Sequence, residues 1–268
     1  GNRATDHVQI HGDVFNPRSY QHSLLQRLRV IYGRYVVRHS SCIRVVSERI
    51  KHSLILLGVP ASTITVLPIY AELEQFLKIG AKRTHVIADS LDFLYVGRFS
   101  PEKNLPLLIR SFATVAQNYG HTRLTLLGSG PQRAELVALV AKLGIAARVT
   151  FLPWTDNVSA AMATHDVFCL SSDHEGWGMV LLEAAAAGMP IVTTDVGCAD
   201  VCVRDGENGQ VVLVGDQAGY VTAMERYCVD PSLVATQGVE SHQIAQCLAL
   251  PEVVYQQKIV DAFTSCVL

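Results

Sequence analysis

The chain has 268 residues, 49% of them hydrophobic, enough for one large or two medium domains with substantial cores. A formal charge of −2 excludes a global attraction to nucleic acid, no signal peptide is visible, and no apolar run reaches the roughly 20 residues that span a bilayer. Seven scattered cysteines, an odd number, argue against a disulfide framework and for a reducing, cytoplasmic setting, and Cys198 and Cys202 lack the second pair that zinc would need.

The chain starts at Gly1 and reaches a strand-like run, Val8-Gln9-Ile10, almost at once, as if cut inside a domain; a loop follows at His11-Gly12. Residues 23–38 follow a helical period. Leu24, Leu25, Leu28, Ile31, Tyr32 and Tyr35 form an apolar stripe, and Arg27, Arg29, Arg34 and Arg38 occupy the rest. From Arg18 to Lys51 the chain carries seven arginines and one lysine against the single acid Glu48. That basic segment is either a solvated arginine face or a surface for anionic lipid. Residues 42–46 read as a strand, Ser47 as the cap of a helix over 48–57 that Gly58 ends, and 64–67 as another strand closed by Pro68. Residues 71–89 are irregular and read as a linker.

From Leu91 the alternation is regular. Strands are expected at 93–96, 124–127, 149–152, 167–170, 191–194 and 210–214. Helices are expected at 105–117, 132–143, 158–164, 183–187 and 218–229, with a last one at 253–263 beyond a polar stretch and Pro251. Short, continuously apolar strands alternating with helices mark a parallel sheet covered on both faces, where ligands bind beyond the carboxyl ends of the strands. Arg98, Ser129, Trp154, Glu175 and Asp195 all follow strands and share that edge.

The stretch from Asp173 to Glu183 concentrates the chemistry. Glu175 and Glu183 flank a Gly-Trp-Gly turn that opens onto an alanine-rich helix. A helix start preceded by glycines offers unpaired N–H groups and a dipole that favours negative charge, although acids collect at helix starts for that reason alone. Arg98 and Lys103 are two cations in the loop after a strand, on the same edge. Gly128-Ser129-Gly130 permits close backbone approach to a ligand, or only a tight turn.

Taken in order, Gly97-Arg98-Phe99-Ser100-Pro101-Glu102-Lys103-Asn104, Leu127-Gly128-Ser129-Gly130-Pro131, Glu175-x7-Glu183 and Asp205-Gly206-Glu207-Asn208-Gly209 resemble glycosyltransferase family 4, from about His7 to Phe263. The resemblance implies an α/β chain of GT-B type, with two Rossmann-like domains of parallel sheets, and retention of the anomeric configuration. It implies that Glu175 faces the transferred sugar and that Glu183 holds the ribose hydroxyls of the donor, a vicinal diol to which one carboxylate can bond twice. Gly178, Met179 and Val180 would give amides to the donor phosphates, and Arg98 and Lys103 would neutralise the departing diphosphate where a metal otherwise might. Gly128, Ser129 and Gly130 would line the donor, Trp154 would border the base, and His11 would stand against the donor sugar. No metal and no cofactor are implied beyond the nucleotide-diphosphate sugar as co-substrate; the acceptor would be a saccharide or lipid-linked saccharide.

The expected organisation is a partial acceptor-side domain over 1–88, a donor domain over 89–246, and a C-terminal helix over 247–268 that packs back on the first. Two departures stand against the family pattern. Pro68-Ile69-Tyr70-Ala71-Glu72 replaces the usual Pro-Asn-Gly-Val-Asp, and the first strands of the N-terminal half, with their glycine-rich loop, have no counterpart. A sugar-nucleotide epimerase on the same scaffold and an inactive nucleotide-sugar-binding fragment are the competing readings. A nicotinamide dehydrogenase is disfavoured because no Gly-x-Gly-x-x-Gly follows a first strand. The setting expected is cytoplasmic, peripheral at the inner face of the membrane if the basic segment binds lipid.

Overall fold

The computed structural model describes residues 7–10, 24–84 and 90–264. The expectations placed on His11 and Arg18 fall outside the described residues. In chain order the elements begin β1 (His7–Ile10), α1 (Leu24–His39), β2 (Cys42–Val45), α2 (Glu48–Leu56), β3 (Ile64–Val66), α3 (Glu74–Gly80) and β4 (Leu91–Val96). They continue α4 (Leu105–Asn118), β5 (Thr122–Leu127), α5 (Arg133–Lys142), β6 (Val149–Leu152), α6 (Val158–Thr164), β7 (Val167–Leu170) and α7 (Met179–Ala186). The last are β8 (Ile191–Thr194), α8 (Ala199–Cys202), β9 (Gly209–Val212), α9 (Gln217–Val229), α10 (Ser232–Leu248) and α11 (Glu252–Thr264).

Two compact units result. The first takes the chain up to Tyr70, Glu175–Trp177 and the segment from Leu250; the second takes Ala71–His174 and Gly178–Ala249. The first holds a parallel sheet in the order β1-β2-β3, with Ile43 opposite both Val8 and Ile64. Parallel neighbours need crossovers, and α1 and α2 supply them. Ser47 caps α2 as expected, its Oγ accepting from the Ile50 amide at 3.2 Å. The described part of the α1 stripe turns outward. Val37 is buried, while Leu28, Ile31, Tyr32 and Tyr35 are 54–69% exposed. Arg44 is no surface cation either: buried in β2, it donates to Leu67 O, Pro68 O, Gln9 Oε1 and Tyr255 Oη. The Tyr255 hydroxyl donates in turn to Pro68 O at 2.9 Å, which fastens α11 into this unit.

The second unit is an all-parallel sheet in the order β6-β5-β4-β7-β8-β9. Strands β7 and β8 are buried throughout, and β4 and β5 are buried from Phe93 and Leu124 to their ends, as a sheet covered on both faces requires. The segment read as a linker contains α3, which packs on α6, α7 and α10, so the boundary between units falls after Tyr70 rather than near residue 88. Arg83 follows α3 and donates to Met162 O, His165 O and Ala187 O, carbonyls at the ends of α6 and α7. It lines a cavity of about 430 Å³ with Lys78, Lys82, His165 and Asp166, at the amino edge of the sheet. Cys169, Cys198, Cys202 and Cys228 are buried free thiols and Cys247 an exposed one. No helix among the described residues is long and apolar enough to cross a membrane.

Candidate functional site

In the second unit the strand order reverses between β4 and β7: the chain runs from β4 outward to β5 and β6, then returns to β7 and runs outward to β8 and β9. The connections that leave adjacent strands at such a point diverge, opening a crevice beyond the carboxyl ends. The connections leaving β4 and β7 are residues 97–104 and 171–178; the first carries Arg98 and Lys103, and the second carries Glu175 and ends at Gly178, where α7 begins.

Residues 97–104 are held from two sides. Tyr95 Oη donates to Arg98 O at 3.0 Å, the Phe99 amide to Ser129 O at 2.8 Å and the Gln132 amide to Phe99 O at 3.1 Å, while the Phe99 ring is fully buried. The two glycines after β5 make this possible. A Cβ on Gly128 would lie 1.9 Å from Gly97 O, and one on Gly130 2.4 Å from Phe99 O. Loop-on-loop packing therefore accounts for both glycines, and Ser129 stays exposed between them.

On the other side, Ser171 Oγ donates to Lys103 O and Asn104 O at 3.0 and 3.1 Å. The Asp173 amide donates to Glu102 O at 2.8 Å, and Asn104 Nδ2 donates to Asp173 Oδ1 at 2.8 Å. Asn104 sits at φ 43°, ψ 45°, the one left-handed non-glycine among the described residues, and its Oδ1 accepts from the Leu107 amide to cap α4. Arg98 is exposed and Lys103 half-buried. Burial pushes the Glu102 carboxyl up. The Ser100 hydroxyl 2.5 Å away and the charges of Lys103 and Arg98 outweigh that and hold it below the usual carboxylate range.

Beyond β7, Gly178 takes the left-handed conformation at φ 82° that starts α7. Met179 and Val180 then supply first-turn amides, which have no acceptor within a helix. Glu183 lies one turn further along α7, half-buried, with no side-chain partner among the described residues. Burial pushes its carboxyl above the usual range. Glu175 stands in the same connection, within the stretch that groups with the first unit. Trp154 is 53% exposed beyond β6, two strand spacings or about 10 Å from β4. The Asp205–Gly209 motif does not join these residues. Its Asn208 is buried, accepting from the Arg204 amide and donating to Cys202 O and Ser241 Oγ, so it locks the β9 approach onto α10.

The sequence reading passed over Asp173, Asn104 and Ser171. Their partners lie on the connection of the neighbouring strand, about 70 positions away in the chain, which no local pattern reveals.

Residues 81–240 match the sequence model of the glycosyl transferases group 1 family. Over 156 residues the chain is 37% identical to the lipopolysaccharide core biosynthesis glycosyltransferase LpsE of Rhizobium meliloti, covering 58% of this chain and 45% of that protein. It is 33% identical to the D-inositol 3-phosphate glycosyltransferase of Rhodococcus opacus over 161 residues, 57% of this chain and 36% of that one. The chain thus spans less than half the length of these relatives. Among solved structures, HepE of Anabaena in complex with UDP and glucose superposes with TM-score 0.77 at 22% identity, over 97% of this chain and 71% of that one. TarM superposes with TM-score 0.80 at 14% identity, over 97% and 50%. At such identities the likeness speaks for the fold, the two parallel sheets of GT-B enzymes.

Proposed function

We propose a donor-side function from one premise: this chain belongs to the glycosyl transferases group 1 family. The second unit holds a nucleoside-diphosphate sugar, in the manner of glycosyltransferase family 4, and the whole protein passes the sugar to a saccharide or lipid-linked saccharide. The observation that carries this reading is Glu183, an acid half-buried and unpartnered among the described residues on α7 beside the switch point. A carboxylate held away from water without donors is costly unless a ligand brings them, and a ribose diol brings two. The first-turn amides of α7 then meet the phosphates, and Arg98 and Lys103 take up the charge that develops as the sugar–phosphate bond breaks. The acceptor oxygen bonds to the anomeric carbon on the face the diphosphate leaves, and its proton passes to the leaving phosphate. Glu175 faces the transferred sugar. Ser129 lies along the donor, Trp154 borders the base, and no metal is required.

Calorimetry of this chain with UDP- and GDP-sugars in excess EDTA tests the reading. Glu183→Ala is expected to weaken the preferred donor by about 10- to 100-fold, or about 1.4–2.8 kcal/mol. An affinity within twofold of the parent would sink the ribose role. Binding seen only with added divalent metal would overturn metal independence.

The same reading gives α1 a partner. Its outward face presents Leu28, Ile31, Tyr32 and Tyr35, with Arg34 and Arg38 exposed and no acid anywhere in the helix. An apolar face edged by cations fits an anionic leaflet, where a lipid-linked acceptor resides, on the cytoplasmic side. The chain should sediment with vesicles containing phosphatidylglycerol and not with pure phosphatidylcholine. Tyr32→Ser with Tyr35→Ser should release it. Equal partition into both vesicles would refute the assignment.

A further inference from the structure

We propose that Asp173, acting through Asn104, is a positioning residue that presents the Lys103 ammonium to the donor diphosphate; this rests on the diphosphate role given to Lys103 above. A lysine head rides on a flexible four-carbon stem, so the region it can reach is set by where the backbone places its Cα. What aims Lys103 is the turn Pro101–Lys103 and the left-handed residue that closes it. A non-glycine residue at φ 43° costs about 1 kcal/mol and persists only where its surroundings hold it there.

Those surroundings come from the loop after β7. Three consecutive residues of the cation loop are gripped from it: Glu102 through its carbonyl by the Asp173 amide, Lys103 through its carbonyl by Ser171 Oγ, and Asn104 through its side chain by Asp173 Oδ1. Asn104 uses both ends of one amide, Oδ1 on the first turn of α4 and Nδ2 on Asp173. The consequence is mechanical. The loop that leads to the amides of α7 is the loop that fixes Lys103, so the two elements assigned to the phosphates are set by one bracket across the switch point. Asp173 touches no donor atom in this scheme and acts only through the placement of Lys103.

A double-mutant cycle on this chain separates that role from a merely structural one. Titrations use UDP and uridine, or GDP and guanosine if guanine donors bind. Asp173→Ala should raise the dissociation constant of UDP about 5- to 10-fold and leave that of uridine unchanged, which also reports an intact fold. In a Lys103→Ala background the same change should have less than about twofold further effect, since its target is gone. Asp173→Asn, whose amide oxygen still accepts from Asn104, should recover most of the loss. If Asp173→Ala does not fold, Ser171→Ala enters the cycle with the same expectation. Equal losses for UDP and uridine, additive losses in the double variant, or a loss in D173A exceeding that in K103A would each overturn the proposal. If K103A leaves UDP binding unchanged, the diphosphate reading itself fails and this proposal falls with it.

Discussion

At the residue scale the site sets two acids against each other. Glu102 is held below the usual carboxylate range, because Ser100, Lys103 and Arg98 outweigh its burial, and Glu183 is pushed above it by burial alone. A carboxyl whose folded pKa is raised binds its proton more tightly in the folded state. Glu183 therefore costs nothing below about pH 4, where both states are protonated, and costs progressively more as the pH rises through its folded value. Glu183→Gln should consequently raise the urea midpoint at pH 7 while losing donor affinity, and the gain should vanish near pH 4. A midpoint that falls at pH 7 would mean that the carboxylate has a stabilising partner in the free protein. Glu183 was legible in the sequence because an acid behind a glycine turn at a helix start is chemistry written within a dozen residues. Asp173 was not, because its meaning comes from Asn104, 69 positions earlier, and only the β4–β7 adjacency brings the two together.

At the scale of elements the same distinction decides what could be read. β7 and residues 93–96 of β4 announce themselves as unbroken apolar runs, and threonine is the only interruption in β8 and in residues 124–127 of β5, as a sheet buried on both faces requires. α10 does not, and residues 232–248 passed as a polar stretch. Its buried face is Val234, Gln237, Gly238, Ser241, Ile244 and Ala245, a correct helical period filled with small and polar side chains. Gln237 accepts from Tyr227 Oη and donates to Gly206 O, and Ser241 bonds Asn208, so satisfied polar groups replace the apolar ones a periodicity search needs. α1 misleads in the other direction. Its stripe is apolar and regular, yet Val37 is buried while Leu28, Ile31, Tyr32 and Tyr35 of the stripe are exposed. Period alone shows that a helix has two faces, and which one turns inward depends on what stands beside it.

At the scale of the whole molecule the two units differ in how much they bury. Among the described residues, the fully buried aromatic rings Tyr95, Tyr220, Tyr227, Phe93, Phe99, Phe112 and Phe168 all belong to the second unit, whereas the largest such side chains of the first are Ile43 and Leu54. Aromatic side chains contribute the most burial per residue, and regions with little of it open locally well before the global transition. The three-stranded sheet should therefore be the weaker element. In native-state hydrogen exchange, the amides of β2 and β3 should exchange at least about 100-fold faster than those of β4 and β7, a gap of about 2.7 kcal/mol in opening free energy. The donor nucleotide proposed above sharpens the test, since a ligand stabilises only what it binds. At 100 times its dissociation constant, UDP should add about 2.7 kcal/mol of protection to amides that exchange only when the second unit opens, and none to those of β2 and β3. Protection that rises equally in both sheets would show that the two units open as one body, and the division of labour argued from their cores would be wrong.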